Sequence, residues 1–142
     1  MSIHGRHWSQ AVAVGKHSPR SLRPRDIPTS PGVYIWFRDG EPVYVGEAKG
    51  VQGLQGRLRA HLAIGTDLSR STLRASIAVA QLGVTRAYAR QRPSVMTDAE
   101  ITLVNEWLTT CELGWQDCAT GPAAHELEVR LRSEWTPPLN IL

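Results

Sequence analysis

Residues 31–50, "PGVYIWFRDGEPVYVGEAKG", read as two β-strands joined by a tight turn, each strand carrying a tyrosine, Tyr34 and Tyr44. A two-residue loop at Asp39-Gly40 would pair Ile35 with Tyr44 and mix polar and apolar residues on both faces. A three-residue loop ending with Gly40 in the left-handed region would instead pair Tyr34 with Tyr44 directly. That register places Val33, Ile35, Phe37, Val43 and Val45 on one face and Tyr34, Trp36, Tyr44 and Gly46 on the other. A slip of one residue would undo the separation, so a buried face should fix the register. The three-residue loop is therefore the expectation, with two tyrosines side by side. Such a pair also stabilises a sheet, by about 0.2–1 kcal/mol, so it does not by itself imply chemistry.

Beyond the hairpin the period changes to that of helices. After the glycine-spaced loop "GEAKGVQG", the segment "LQGRLRAHL" puts Leu54, Leu58, His61 and Leu62 on one stripe, with Arg57 at its edge. "SRSTLRASIAVAQLG" predicts a second helix with Leu73, Ile77 and Ala80 inward and Gly83 as its stop. Arg70 and Arg74, four apart, share one edge of it. Val84 to Tyr88 read as a short strand. Thr97 and Glu100 stand at capping-box spacing ahead of an Ile101, Val104, Leu108 face. "LGWQDCA" is a candidate strand against the hairpin, and Thr120-Gly121-Pro122 open a last helix that runs to about Trp135.

On that last helix Ala124, Leu127, Leu131 and Trp135 form the apolar stripe, and Glu126 points away from it. Glu128 falls roughly 55° from the stripe centre at a 100° advance per residue, and Glu134 lies similarly close. An ionised carboxylate withdrawn from water needs a cation, either a metal or a basic side chain such as Arg132 one turn on. Helical geometry alone does not choose between Glu128 and Glu134.

Composition narrows the class. At 142 residues the chain is expected to hold one domain with a modest core, and 42% hydrophobic content suits a globular protein. No apolar run approaches a membrane span, the basic N-terminus lacks a signal peptide's apolar segment, and a cytoplasmic location is expected. Cys111 and Cys118 match no zinc spacing and are expected to be reduced thiols. Residues 1–27, with scattered His, Arg, Ser and Pro, read as a basic N-terminal arm ordered at most in part. The net charge of +3 is strongly polarised: residues 49–92 carry +7 and residues 93–142 carry −6. Such a split is compatible with mere attraction between the halves, and equally with a phosphate-binding surface beside a carboxylate metal site.

"GVY" at 32–34, "YVG" at 44–46, Arg57 followed by His61, then Glu128, then Asn140 after "PPL" together resemble the GIY-YIG nuclease superfamily, whose members include an excision-repair nuclease subunit, intron homing endonucleases and restriction enzymes. The resemblance implies an α+β fold, a small three-stranded antiparallel sheet flanked by helices, here with a helical insertion. It covers residues 28–62 and 120–142, so the expected domain is 28–142 with an inserted segment at about 63–110. It implies a DNA endonuclease using a single Mg²⁺ or Mn²⁺ bound by Glu128, which the family's twelve-residue spacing to Asn140 selects over Glu134. Tyr34 and Tyr44 would flank the scissile phosphate, one of them serving the attacking water. Arg57 would clamp the phosphate, His61 would stand one turn on, and Asn140 would hold the loop and Glu128 by hydrogen bonds. Glu47 is a departure, because some members carry lysine there; Lys49 follows two residues later. Lys49, Arg59, Arg70 and Arg74 are the expected DNA contacts, joined by Arg86, Arg90 and Arg92. The rival reading is a DNA-binding module on the same fold that does not cleave. Restriction, mobile-element and repair roles stay open. Cutting both strands would suit a dimer, with the oligomeric state left open.

Overall fold

The computed structural model describes residues 3–62 and 71–141. The hairpin strands β1 (Gly32–Arg38) and β2 (Glu41–Ala48) pair antiparallel, and β3 (Glu112–Asp117) joins the other side of β1, giving the order β2-β1-β3. The helices are α1 (Arg6–Ala11), α2 (Gly53–Leu62), α3 (Thr72–Leu82), α4 (Arg86–Arg90), α5 (Asp98–Thr109) and α6 (Gly121–Glu134). They cover both faces of the sheet, an α+β architecture of the expected kind.

The turn differs from expectation. Asp39 and Gly40 both have positive φ, 53° and 81°, and Arg38 pairs with Glu41, so the loop has two residues. Positive φ at both central positions marks the primed turn whose twist matches that of the strands, and Asp-Gly supplies it at low cost. The register then shifts between Trp36 and Phe37, which pair with Tyr44 and Pro42 and leave Val43 extra. This bulge restores the separation of faces that a two-residue loop would otherwise lose. Val33, Ile35, Phe37 and Val45 pack together on one face, while Tyr34, Trp36 and Tyr44 join the core on the other. Val43, expected with the first set, packs with the second. The tyrosines share a face as expected but are not directly opposite. Tyr34 faces Gly46 and Tyr44 faces Trp36, a diagonal arrangement with ring centroids 6.3 Å apart. Gly46 is needed because a Cβ there would run into the Tyr34 phenol.

The first face is closed by Trp8 and Ala11 of α1 and by Leu131 of α6. Residues 1–27 are therefore not a loosely ordered arm along their described length. Trp8 is fully buried, and its indole nitrogen donates to the carbonyl oxygens of Leu131 (2.7 Å) and Trp135 (3.0 Å). Further on, His17 makes a β-bridge to Leu113 of β3. A tryptophan filling a core to this extent should cost about 3–5 kcal/mol when cut back to alanine. Urea denaturation of Trp8→Ala is expected to show a loss of that size, and a loss under 1 kcal/mol would mean that α1 is an appendage.

Across the sheet, Leu54 and Leu58 of α2, Leu73 and Ile77 of α3, and Ile101, Val104 and Leu108 of α5 build the larger core. Local signals set these helices. The Thr97–Glu100 capping box opens α5, the Ser71 hydroxyl caps α3, and Gly83 ends α3 at φ 70°. Two expectations are corrected. Ala80 is exposed rather than inward, and the supposed strand at Val84 to Tyr88 is largely the short helix α4, because the Thr85 side chain accepts from the Tyr88 amide and nucleates a turn.

Candidate active site

The site is assembled where β1, β2, α2 and α6 meet. Tyr34, 1% exposed, lies with its hydroxyl 2.9 Å from Nε2 of His61 on α2, and Nδ1 of His61 lies 2.9 Å from the Ser71 hydroxyl. Ser71 also accepts from the Arg74 amide at 3.1 Å, so the residue that caps α3 anchors the imidazole. Burial, with the Arg57 and Arg74 cations nearby, pushes the His61 pKa down to about 3. A neutral ring has one donor and one acceptor nitrogen, and here both are engaged. The Arg57 guanidinium, on the exposed side of α2, lies close enough to the Tyr34 hydroxyl for its charge to lower the Tyr34 pKa.

Both tyrosines hold their protons strongly. Burial raises the Tyr34 pKa first and the proximity of Tyr44 adds to it, while Arg57 pulls the other way. Burial likewise raises Tyr44, with Arg57 opposing and Glu128 adding. Arg57 and Glu128 thus act on the same two phenols from different helices.

Glu128 projects from α6, its side chain 14% exposed and 3.6 Å from Arg132. The structure separates it from Glu134. The Glu134 carboxylate accepts from the backbone N–H of His7 (3.0 Å) and Trp8 (3.3 Å) and contacts the His7 ring, so it is spent on holding α1. Burial pushes the Glu128 pKa up to about 7, helped by a hydrogen bond and repulsion from Glu47. Glu47 is held below the usual carboxylate range: hydrogen bonds from Glu128, His125 and Lys49 outweigh the effect of its burial. Of these two neighbouring carboxyls, Glu128 is the one whose pKa is raised and Glu47 the one whose pKa is lowered.

Asn140 works as a strand substitute. Its Oδ1 accepts from the Val45 N–H at 2.9 Å and its Nδ2 donates to the Val45 carbonyl at 2.7 Å, while the Leu139 N–H donates to Val43 at 2.9 Å. The free edge of β2 is thereby covered next to Tyr44. Asn140 positions the strand rather than Glu128 itself.

The expected DNA contacts divide. Lys49 and Arg59 are exposed, and a cavity of about 410 Å³ runs from Glu47 past Lys49, Gly50 and Gly53 to Arg57. Arg74 is corrected: it is 2% exposed, and its guanidinium donates to Asn105 at 2.7 and 3.0 Å. Its position on the helix edge was legible, but α5 packs over that edge. Arg70 lies outside the described residues. Arg90 and Arg92 are exposed, whereas Arg86 donates to the Ile141 carbonyl at 2.6 Å. Three residues escaped sequence reasoning as members of the site: Ser71, Glu47 and His125. Two had local signals: His125 precedes Glu128 by three and so shares its helix face, and Glu47 directly follows the second tyrosine motif.

The buried neutral histidine has a measurable consequence. The unfolded chain takes up a proton at position 61 as the pH falls below about 6.5, whereas the folded chain does not until about 3. Stability from this group is complete above 6.5 and is lost on acidification by about 1.4 kcal/mol per pH unit. In urea denaturation, the stability of the wild type relative to His61→Gln is therefore expected to fall between pH 6.5 and pH 4.5. A difference independent of pH would mean that the ring titrates normally in the fold.

Comparison with known proteins agrees with this geometry. Neither the curated proteins nor the solved structures gave a significant match. The family model described as the GIY-YIG catalytic domain matches residues 32–142, spanning both tyrosines, Arg57, His61, Glu128 and Asn140. With most of its length matched, this chain belongs to the GIY-YIG family of nuclease domains.

Proposed function

We propose that the protein is a metal-dependent DNA endonuclease that hydrolyses phosphodiester bonds at the Tyr34–Tyr44–Arg57–Glu128 site. The observation that carries this reading is the convergence of two phenols, a guanidinium and a half-buried carboxyl from four elements. The donor set suits a divalent cation: the Glu47 and Glu128 carboxyls lie close together, and His125 offers a ligand atom within 4.8 Å of theirs. A cation held by Glu128 supplies positive charge to the phosphate and to the leaving 3′ oxygen.

The chain's own residues do the rest. Arg57 reaches the phosphate with paired N–H donors and at the same time points Tyr34. His61, fixed by Ser71, holds the Tyr34 hydroxyl in one orientation. The hydroxyls of Tyr34 and Tyr44 orient the attacking water, and the one that accepts its proton does so only when cationic charge offsets the burial that raises both pKa values. Asn140 keeps the β2 edge, and with it Tyr44, in register. Lys49 and Arg59 supply backbone contacts beside the cavity, a salt-sensitive and sequence-independent grip.

The test is a plasmid-nicking assay with the purified chain, in Mg²⁺ or Mn²⁺ against EDTA. Conversion of supercoiled to nicked or linear DNA that EDTA abolishes is expected. DNA binding without any nicking under both ions would identify a non-cleaving module on this fold.

A further inference from the structure

Glu47 stands where some relatives carry lysine, and the structure gives it a partner that no motif announces. We propose that Glu47, His125 and Glu128 form a single three-donor cation site, and that its nitrogen donor makes the centre select Mn²⁺ over Mg²⁺. This rests on the nuclease reading for the place of the site but goes beyond its one-carboxylate metal. One ligand atom from each of the three residues lies within 4.8 Å of the other two. Nδ1 of His125 is 2.9 and 3.2 Å from the two Glu47 oxygens.

The three donors stand on regular elements. His125 and Glu128 are three apart on α6, where side chains at that spacing project together. Glu47 pairs with Val33 in β2 and so faces α6, on the side of the sheet where Leu131 packs. Donors mounted on a helix and a strand hold their geometry better than donors on loops. The Glu47 and Glu128 side chains are 19% and 14% exposed, whereas His125 is 57% exposed. Two carboxylates therefore form the floor and the imidazole an open wall, leaving room for water and a phosphate oxygen.

The cations already present do not close the site. Lys49 Nζ is 3.2 Å from Glu47 and Arg132 is 3.6 Å from Glu128, each on a long side chain that is about half exposed. Both can turn to phosphate oxygens when a metal takes their place. Mg²⁺ prefers all-oxygen octahedral shells and sheds water reluctantly, whereas Mn²⁺, though it too favours carboxylates, takes a nitrogen donor more readily than Mg²⁺ does. A histidine in the donor set is thus a selectivity element.

The experiment titrates the full metal-free chain with Mn²⁺ and, separately, with Mg²⁺, following free Mn²⁺ by its electron paramagnetic resonance signal and both ions by calorimetry. One Mn²⁺ per chain is expected, bound at least about tenfold more tightly than Mg²⁺. His125→Ala should weaken Mn²⁺ by about tenfold or more and leave Mg²⁺ nearly unchanged, while Glu47→Gln should weaken both. His125 is exposed, so its variant should keep the wild-type circular dichroism and melting temperature. Equal affinity for the two ions, unchanged Mn²⁺ affinity in His125→Ala, or no binding at all would each overturn the proposal. Its failure is distinguishable from failure of the nuclease reading. Equal nicking in Mg²⁺ and Mn²⁺ with no effect of His125→Ala removes only the three-donor site. Tight Mn²⁺ binding that depends on His125 but brings no nicking removes only the nuclease.

Discussion

Glu128→Ala is expected to lose roughly 10³-fold or more in nicking rate while remaining folded and able to bind DNA. The magnitude follows from what the carboxylate would hold, a divalent charge worth several kcal/mol to a crowded phosphate in the transition state. The retained fold follows from its surroundings. Glu128 pairs with Arg132 and neighbours Glu47 and His125, all at the protein surface or its margin, and it belongs to neither hydrophobic cluster. Removing it also lifts the cost of a carboxyl whose pKa is pushed up to about 7, so the metal-free variant should be no less stable than the wild type. Single-turnover nicking beside a gel-shift titration and a thermal melt checks all three parts. A folded Glu128→Ala protein that cuts DNA at the wild-type rate would remove this site from the chemistry.

Arg57→Ala should lower the single-turnover rate by roughly 10²–10³-fold, the usual cost of deleting one preorganised donor to a developing anion. The guanidinium has two tasks here. It lines the cavity that leads from Glu47, and its charge opposes the burial that raises the pKa of both tyrosines. On the proposed mechanism its loss removes a phosphate clamp, and it also makes either phenol a weaker acid. Arg57→Lys restores charge but not the paired donors, so it should recover only part of the rate. The side chain is on the exposed face of α2, and the packing of Leu54 and Leu58 should be untouched. If Arg57→Ala changed DNA affinity alone and left the rate at saturating DNA intact, Arg57 would be a binding residue and no more.

These effects bear on what kind of information each part of the molecule needs. The sequence by itself determined whatever is settled within about four residues. The capping box at Thr97 and Glu100, the glycine stop at Gly83 and the proline-led start of α6 are all of this kind. Each depends on side chains that meet their own backbone or their helical neighbours, so chain order and spatial order coincide. The motif spacing likewise indicated the family, because the hairpin and the helix after it are locally built.

Tertiary structure decided everything that joins distant segments. Whether the hairpin would take a three-residue loop or a two-residue turn with a bulge depended on which faces α1, α2 and α6 would bury, and a single strand pair does not contain that answer. Glu128 and Glu134 are nearly equivalent on their helix. They were separated by an amide 127 residues away, when His7 claimed Glu134. Arg74 looked like a cation on a helix edge until α5 covered it and Asn105 satisfied it. The Glu47–His125 contact spans 78 residues and follows from no periodicity of either segment. A charged side chain is assigned by what desolvates it and what neutralises it, and in this protein both come from parts of the chain that are far away in sequence.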